Sequence, residues 1–235
     1  MKAACPNALL VIAKRPAAGQ TKTRLTPPLS AAQAAALYEC FLKDTLVLMQ
    51  TACALADAQP IVLYLPAGAQ AYFRTLAPQA HLLLQRGDNL GQRLDNAIAD
   101  CLALGYQRVV VMDSDSPTLP VASLAQAFAV LADGAEACFG PCADGGYYLV
   151  GARTPIPHLL REVQMSTDHV LADTLALAKS ANTSVGLLAP WHDIDTHAEL
   201  ERLIEELRET HPPQAAAVAA HTRAWLQKEC FLSSG

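Results

Sequence analysis

Ala8-Leu9-Leu10-Val11-Ile12-Ala13 runs without a break into Lys14-Arg15-Pro16-Ala17-Ala18-Gly19-Gln20-Thr21-Lys22-Thr23-Arg24-Leu25. The first part is continuously apolar, with no in-out alternation. That is the pattern of a strand buried on both faces, as in a parallel sheet covered by helices. It falls far short of the roughly 20 residues needed to cross a bilayer. It is also not expected to be a signal peptide, because Lys14-Arg15-Pro16 stands where small residues would mark cleavage. A buried strand that opens into a loop of cations and one glycine is a sequence suited to binding an anion at the end of a sheet.

Working outward, the same kind of strand recurs at Ile61–Leu65, His81–Gln85, Arg108–Met112, Ala135–Phe139, Tyr147–Val150 and Ser184–Leu188. Helical patterns lie between. Ser30 and Gln33 form a capping-box pair before Ala34–Leu55. Asn89 and Gln92 repeat that signal before Leu90–Leu104, where Leu94, Ile98 and Cys101 share a face. Further helices are expected at Ala69–Leu76, Val121–Ala132, Asp168–Ala181, Ala198–Thr210 and, after Pro212-Pro213, at Ala215–Lys228. The β-α-β rhythm gives an α/β fold with a three-layer, doubly wound, mostly parallel sheet. Ligands in such folds bind beyond the carboxyl ends of the strands. The expected domains are an α/β domain over 1–210 and a C-terminal helical extension over 211–235. In that extension Trp225, Phe231 and Leu232 are apolar. They suit either packing on the chain's own surface or a homodimer contact.

Composition narrows the partners. The chain has 235 residues, 52% of them hydrophobic and 17% charged, which is enough apolar material for a sizeable core and too little charge for disorder. A net charge of -5 with no dense basic tract argues against nucleic acid as a partner. No membrane span is visible. The cysteines at 5, 40, 53, 101, 138, 142 and 230 are scattered, and several lie in apolar periodic segments. They read as reduced thiols of a cytoplasmic protein, with no zinc-finger spacing.

Three segments carry chemistry. In the loop after the first strand, Gly19 frees the backbone to approach a ligand, and Lys22 and Arg24 offer donors to phosphate oxygens. The loop is not a Walker A loop, since Thr21 precedes Lys22, nor a dinucleotide fingerprint, since only Gly19 is present. The fourth strand ends in Asp113-Ser114-Asp115. Carboxylates at a strand tip suit a hard divalent cation that also holds substrate phosphates, or else form a turn or helix cap. Asp144-Gly145-Gly146-Tyr147 suits contact with a hydroxyl-bearing substrate or a tight hairpin turn. Late in the chain, Asp195 is a second metal ligand or a helix cap. His192 and His197 read as surface residues or supports of the site, and not as zinc ligands.

Lys14-x-Pro16-x-x-Gly19-x-x-Lys22-Thr23-Arg24-Leu25 resembles the opening of the glycosyltransferase-A-like family DUF2064 and is similar to the opening of phospholactate guanylyltransferases. Leu90-Gly91-x-Arg93-Leu94, Ser114-Asp115-x-Pro117-x-Leu119, Gly140-Pro141-x-x-Asp144-Gly145-Gly146-Tyr147-Tyr148-Leu149-x-Gly151 and Asp193-x-Asp195-Thr196 follow in family order. The resemblance implies the nucleotide-diphospho-sugar transferase (GT-A) fold. It implies that Lys14, Gly19, Lys22 and Arg24 hold nucleotide phosphates and that Asp88, Gly91 and Arg93 border the nucleotide. It also implies Asp115 as the main metal ligand, with Asp195 completing a Mg2+ or Mn2+ site. Asp113 stands where the family usually has glycine, and Gln164-Met165-Ser166-Thr167 replaces a frequent Trp-Gly-Thr.

The expected function is nucleotidyl transfer from a nucleoside triphosphate to a small phosphorylated acceptor, with Lys22 and Asp115 as catalytic residues. The acceptor would meet Asp144, Gly145, Gly146 and Tyr147. Glycosyl transfer from a nucleotide sugar is the first alternative, and a non-catalytic nucleotide-binding or partner-binding module the second.

Overall fold

The computed structural model describes residues 3–209 and 218–232. Seven strands form one sheet: β1 Asn7–Lys14, β2 Ala58–Leu65, β3 His81–Leu84, β4 Arg108–Met112, β5 Ala137–Pro141, β6 Tyr147–Ala152 and β7 Val185–Leu187. Their order is β3-β2-β1-β4-β6-β5-β7. β6 runs antiparallel to both β4 and β5, and all other neighbours pair in parallel. The helices are α1 Ala31–Ala56, α2 Gln70–Leu76, α3 Leu90–Ala103, α4 Val121–Ala132, α5 Pro157–Leu160, α6 Val170–Ser180, α7 His197–Glu209 and α8 Ala220–Lys228, with a 3-10 turn at Thr23–Leu25.

The period of two along β1 builds both faces. Leu9 and Val11 join one core with Leu42, Met49, Phe73 and Leu124, under α1, α2 and α4. Ala8 and Leu10 join a second core with Leu94, Ile98, Leu159 and Leu160, under α3 and α5. Each leucine so buried contributes roughly 2–3 kcal/mol by removal from water. This is a three-layer, doubly wound α/β fold with a mostly parallel sheet.

Helix starts follow the sequence signals. Ser30 and Gln33 form a full capping box on α1, and Asn89 accepts the Gln92 amide at the start of α3. α1 is long enough to serve two cores. Its second half lies on the sheet, while Ala34, Leu37, Tyr38 and Phe41 join α7 and α8 in a third cluster.

α8 belongs to that cluster. Leu226 and Leu232 are buried, and Trp225 and Phe231 pack beside them with stacked rings. These four side chains of the tail therefore pack on the chain's own surface. Asp44 of α1 accepts the amides of His221 and Thr222 at 2.9 and 2.8 Å, and the Thr222 hydroxyl at 2.7 Å, fixing the start of α8. Part of the expected helix over 215–228 lies outside the described residues. Among those described, no helix is long and apolar enough to cross a membrane.

The strand order reverses between β1 and β4. Chains leaving their carboxyl ends diverge there and open a crevice. The basic loop leaves β1 and the acidic loop leaves β4 at that crevice.

Candidate active site

The loop after β1 folds back on itself. Ala17 carbonyl oxygen accepts the amides of Gln20 and Thr21 and the hydroxyl of Thr21. Gly19 takes φ +72, and Lys22 takes φ 50 and ψ 42, a left-handed conformation that costs a non-glycine residue about 1 kcal/mol. Leu25, fully buried, anchors the 3-10 turn that follows. This geometry sends the Lys22 side chain inward, where only 5% of it stays exposed.

Lys22 Nζ lies 2.7 Å from Asp115 Oδ1 and 2.6 Å from Asp195 Oδ1. The two carboxylates come from loops that are themselves tied: the Ile194 amide donates to the Asp115 carbonyl at 3.0 Å, and the Ile194 side chain is fully buried. Beneath the ammonium lie the rings of Tyr38 and Phe41, each centred 6.0 Å away. Tyr38 Oη accepts the Lys14 amide at 3.1 Å and bonds Ser114 Oγ at 2.9 Å, so one side chain of α1 links the ends of β1 and β4.

Burial pulls the Lys22 ammonium toward lower pKa, but the charges of Asp115 and Asp195 outweigh it and hold the group above its ordinary range. Burial pushes Asp115 up, Lys22 opposes the rise and Asp195 adds to it. Burial likewise raises Asp113 well above the carboxylate range, with help from Asp115. The Tyr38 hydroxyl is pushed up to about 12, mainly by burial. Asp193 is pushed up to about 6 by burial and by the charges of Asp195 and Asp144.

Two cavities meet at this point and share Asp195. The smaller, about 180 Å³, is lined by Lys14, Gln20, Thr21, Lys22, Tyr38, Asp115 and Asp195. The larger, about 490 Å³, has Arg24 as its one lining cation among the described residues, with Asp144, Asp168 and Asp193 and the apolar Leu90, Tyr147 and Met165 on its walls. The basic loop is thus divided: Lys14 and Lys22 face one cavity and Arg24 the other.

Other sequence expectations resolve residue by residue. Asp195 does not cap α7. Thr196 Oγ1 and Glu199 do so, with the Glu199 carboxylate accepting the amides of Asp195 and Thr196 at 2.8 and 2.7 Å. Asp113 makes a turn: its Oδ1 accepts the Asp115 amide and its Oδ2 the Ser116 hydroxyl. Asp144, Gly146 and Tyr147 line the larger cavity, and they also form the β5–β6 hairpin, where Gly146 N donates to Asp144 Oδ1. Gly145, at φ +89, leaves no room for a Cβ, which would lie 1.7 Å from the Asp168 carbonyl oxygen.

Asp88, Gly91 and Arg93 line neither cavity, although Leu90 between them lines the larger one. Arg93 folds back on the Gly87 carbonyl, and Gly91 is buried against Leu160. His192 and His197 pair with Glu206 and Glu201. Met165, Ser166 and Thr167, where the sequence departs from the family pattern, all line the larger cavity.

Sequence reasoning missed Tyr38, whose signal is a phenol hydroxyl on the buried face of α1. It also missed Asp168 as a wall of the larger cavity.

The converging Oδ1 atoms of Asp115 and Asp195 fit a cation, since they already hold one in the form of an ammonium. Cys142, Asp144 and Asp193 bring one ligand atom each within 4.8 Å of one another and form a second group able to hold an ion.

This sheet, with its crevice between β1 and β4, is the fold of the nucleotide-diphospho-sugar transferases. The chain is similar to the crystal structure of a provisionally named nucleotide-diphospho-sugar transferase from Desulfovibrio desulfuricans G20. The TM-score is 0.82 and the identity 29%, over 95% of this chain and 98% of that one. At the level of fold alone it is similar to CMP:2-keto-3-deoxy-manno-octonic acid synthetase complexed with CTP, with TM-score 0.56 and 9% identity over 86% and 98% of the two chains. The same holds for a cytidylyltransferase from Leptospira borgpetersenii serovar Hardjo-bovis, with TM-score 0.56 and 13% identity over 97% and 96%. No curated protein matches. Residues 48–167 match the family described as "Uncharacterized protein conserved in bacteria (DUF2064)", and the chain belongs to that family.

Proposed function

We propose that this chain transfers a nucleotidyl group from a nucleoside triphosphate to a small phosphorylated acceptor, with Mg2+ or Mn2+ on Asp115 and Asp195. The observation that carries it is the position of Lys22, whose ammonium joins Asp115 and Asp195 in the smaller cavity, while Asp195 also lines the larger, acidic one. The smaller cavity offers Lys14 and Lys22 to a chain of phosphates. The larger offers Arg24 to an acceptor phosphate, and the carboxylates of Asp144, Asp168 and Asp193 to hydroxyl groups.

In the reaction an acceptor phosphate oxygen bonds to the α-phosphorus. The bond from that phosphorus to the bridging oxygen breaks, and pyrophosphate leaves with the electron pair. Charge gathers on phosphate oxygens throughout, so catalysis is positioning and electrostatic stabilisation. Lys14 and Lys22 offset charge on the leaving pyrophosphate, and Arg24 orients the attacking group. A divalent ion, when bound, supplies Lewis-acid polarisation of the phosphate oxygens. Two nucleotidyltransferases of this fold, the synthetase with CTP and the cytidylyltransferase, support the class.

The acidic character of the larger cavity favours a second reading, glycosyl transfer from a nucleotide sugar, with Asp144 beside sugar hydroxyls. The test is to incubate the protein with triphosphates or nucleotide sugars, a panel of acceptors and Mg2+. Release of pyrophosphate supports nucleotidyl transfer, and release of nucleoside diphosphate supports glycosyl transfer. Nucleotide binding without either product would leave a binding module. Asp115→Asn is expected to abolish the Mg2+-dependent rise in melting temperature that a bound triphosphate gives.

A further inference from the structure

The two carboxylates assigned to the metal already hold a cation of the chain's own. Lys22 is nearly enclosed, and it touches one oxygen of Asp115 and one of Asp195. The floor beneath it is aromatic, from Tyr38 and Phe41. A buried ammonium without an anion is costly, and so is a pair of neighbouring carboxylates without a cation. Each therefore holds the other in the nucleotide-free protein. A free divalent ion that took these two oxygens would have to displace the ammonium and leave it buried without a partner.

The smaller cavity supplies the way out. It is lined by Lys22 itself, with Lys14, Gln20 and Thr21 beside it. Phosphate oxygens placed there would give the ammonium a new anion. The flexible four-carbon stem of a lysine lets the head move while the backbone stays fixed. That backbone is held, since Thr21 brackets the turn before Lys22 and the Leu25 amide donates to the Lys22 carbonyl at 3.0 Å.

We propose that Lys22 is a resident counter-cation, which occupies the cation position of Asp115 and Asp195, excludes a free divalent ion, and yields that position only when phosphate arrives with the metal. It rests on the assignment of these two carboxylates as metal ligands. Metal and triphosphate binding are then coupled, each strengthening the other by the same factor.

The test uses Mn2+ alone, without nucleotide, on the full chain. Binding is read from loss of the free Mn2+ paramagnetic resonance signal and from melting temperature. Lys22→Met keeps the length of the side chain and removes its charge. It should bind Mn2+ at least tenfold more tightly than the unaltered protein, and adding Asp115→Asn should remove the gain. Equal affinity in Lys22→Met and the unaltered protein, with Asp115 still required, overturns the proposal alone. Tight binding that survives Asp115→Asn overturns it together with the metal assignment.

If Lys22→Met does not fold, the unaltered protein gives the answer through the 15N resonance of the Lys22 ammonium. That signal should be unchanged by millimolar Mg2+ and should shift when Mg2+ is added with inorganic triphosphate. A shift with Mg2+ alone overturns the proposal.

Discussion

Asp113 holds the backbone of Asp115: its Oδ1 accepts the Asp115 amide at 3.2 Å, while its Oδ2 accepts the Ser116 hydroxyl at 3.0 Å. The two acids at the tip of β4 therefore divide the work. Asp115 turns its carboxylate to Lys22, and Asp113 shapes the turn that puts it there. Asp113→Ala removes both acceptors and frees the turn, so we expect about tenfold weaker Mg2+-dependent nucleotide binding, the equivalent of one to two lost hydrogen bonds. Asp113→Asn keeps an oxygen for the Asp115 amide and should stay within about threefold of the unaltered protein. Calorimetric titration with a triphosphate and Mg2+ checks both. Equal loss in the two variants would mean that charge, and not geometry, is what Asp113 supplies.

Arg24 and Lys22 are two residues apart but serve different cavities. Arg24→Ala should raise the KM for a phosphorylated acceptor by about tenfold, the worth of one charge-assisted contact. Triphosphate binding should be unchanged. Steady-state kinetics with each substrate varied in turn makes the comparison. An equal rise in both KM values would place the nucleotide in the larger cavity.

The sheet is legible in the sequence because strands buried on both faces leave unbroken apolar runs, as β1 and β4 do. Helix starts are legible because Ser30 and Asn89 carry their caps locally. The site is legible only as loops at strand ends. That Asp195 meets Asp115 depends on the backbone bond from Ile194, which no local pattern records. Arg24 lines a different cavity from Lys22 because Lys22 is itself left-handed and Arg24 sits within the 3-10 turn that follows, and spacing alone does not reveal either. Gly91 shows the converse. Its motif suggests a ligand contact, but a Cβ there would lie 2.0 Å from the Leu160 carbonyl oxygen, so close helix packing already requires glycine.

Asp44 is 6% exposed and accepts three hydrogen bonds from the first residues of α8. A carboxylate at a helix N-terminus gains both from those bonds and from the helix dipole. Asp44→Ala should cost roughly 2–3 kcal/mol, because two amides and a hydroxyl lose their acceptor. Asp44→Asn should cost about half as much. Urea unfolding measures the difference, and a loss below about 0.5 kcal/mol would show that α8 is held by its apolar face alone.

The thiols give a prediction about alkaline pH. Burial raises Cys53, Cys101 and Cys138 from 9.0 to about 12, and Cys40 to about 11. A thiolate is the reactive form, so these residues are inert near neutrality. Cys230 is the exposed cysteine among the described residues. A disulfide reagent at pH 8 should therefore modify Cys230 first, Cys230→Ser should abolish that rapid phase, and the buried thiols should appear only on denaturation. The same shifts set the stability. The unfolded chain releases these protons near pH 9 while the folded chain holds them to about 12, so the unfolded state gains as the pH rises. The stabilisation is fully present below pH 9 and should fall steadily between pH 9 and 12. Urea midpoints across that range measure it, and Cys101→Ala should shallow the slope. A midpoint that stays level to pH 12 would mean that the thiols ionise as readily inside the fold as outside it.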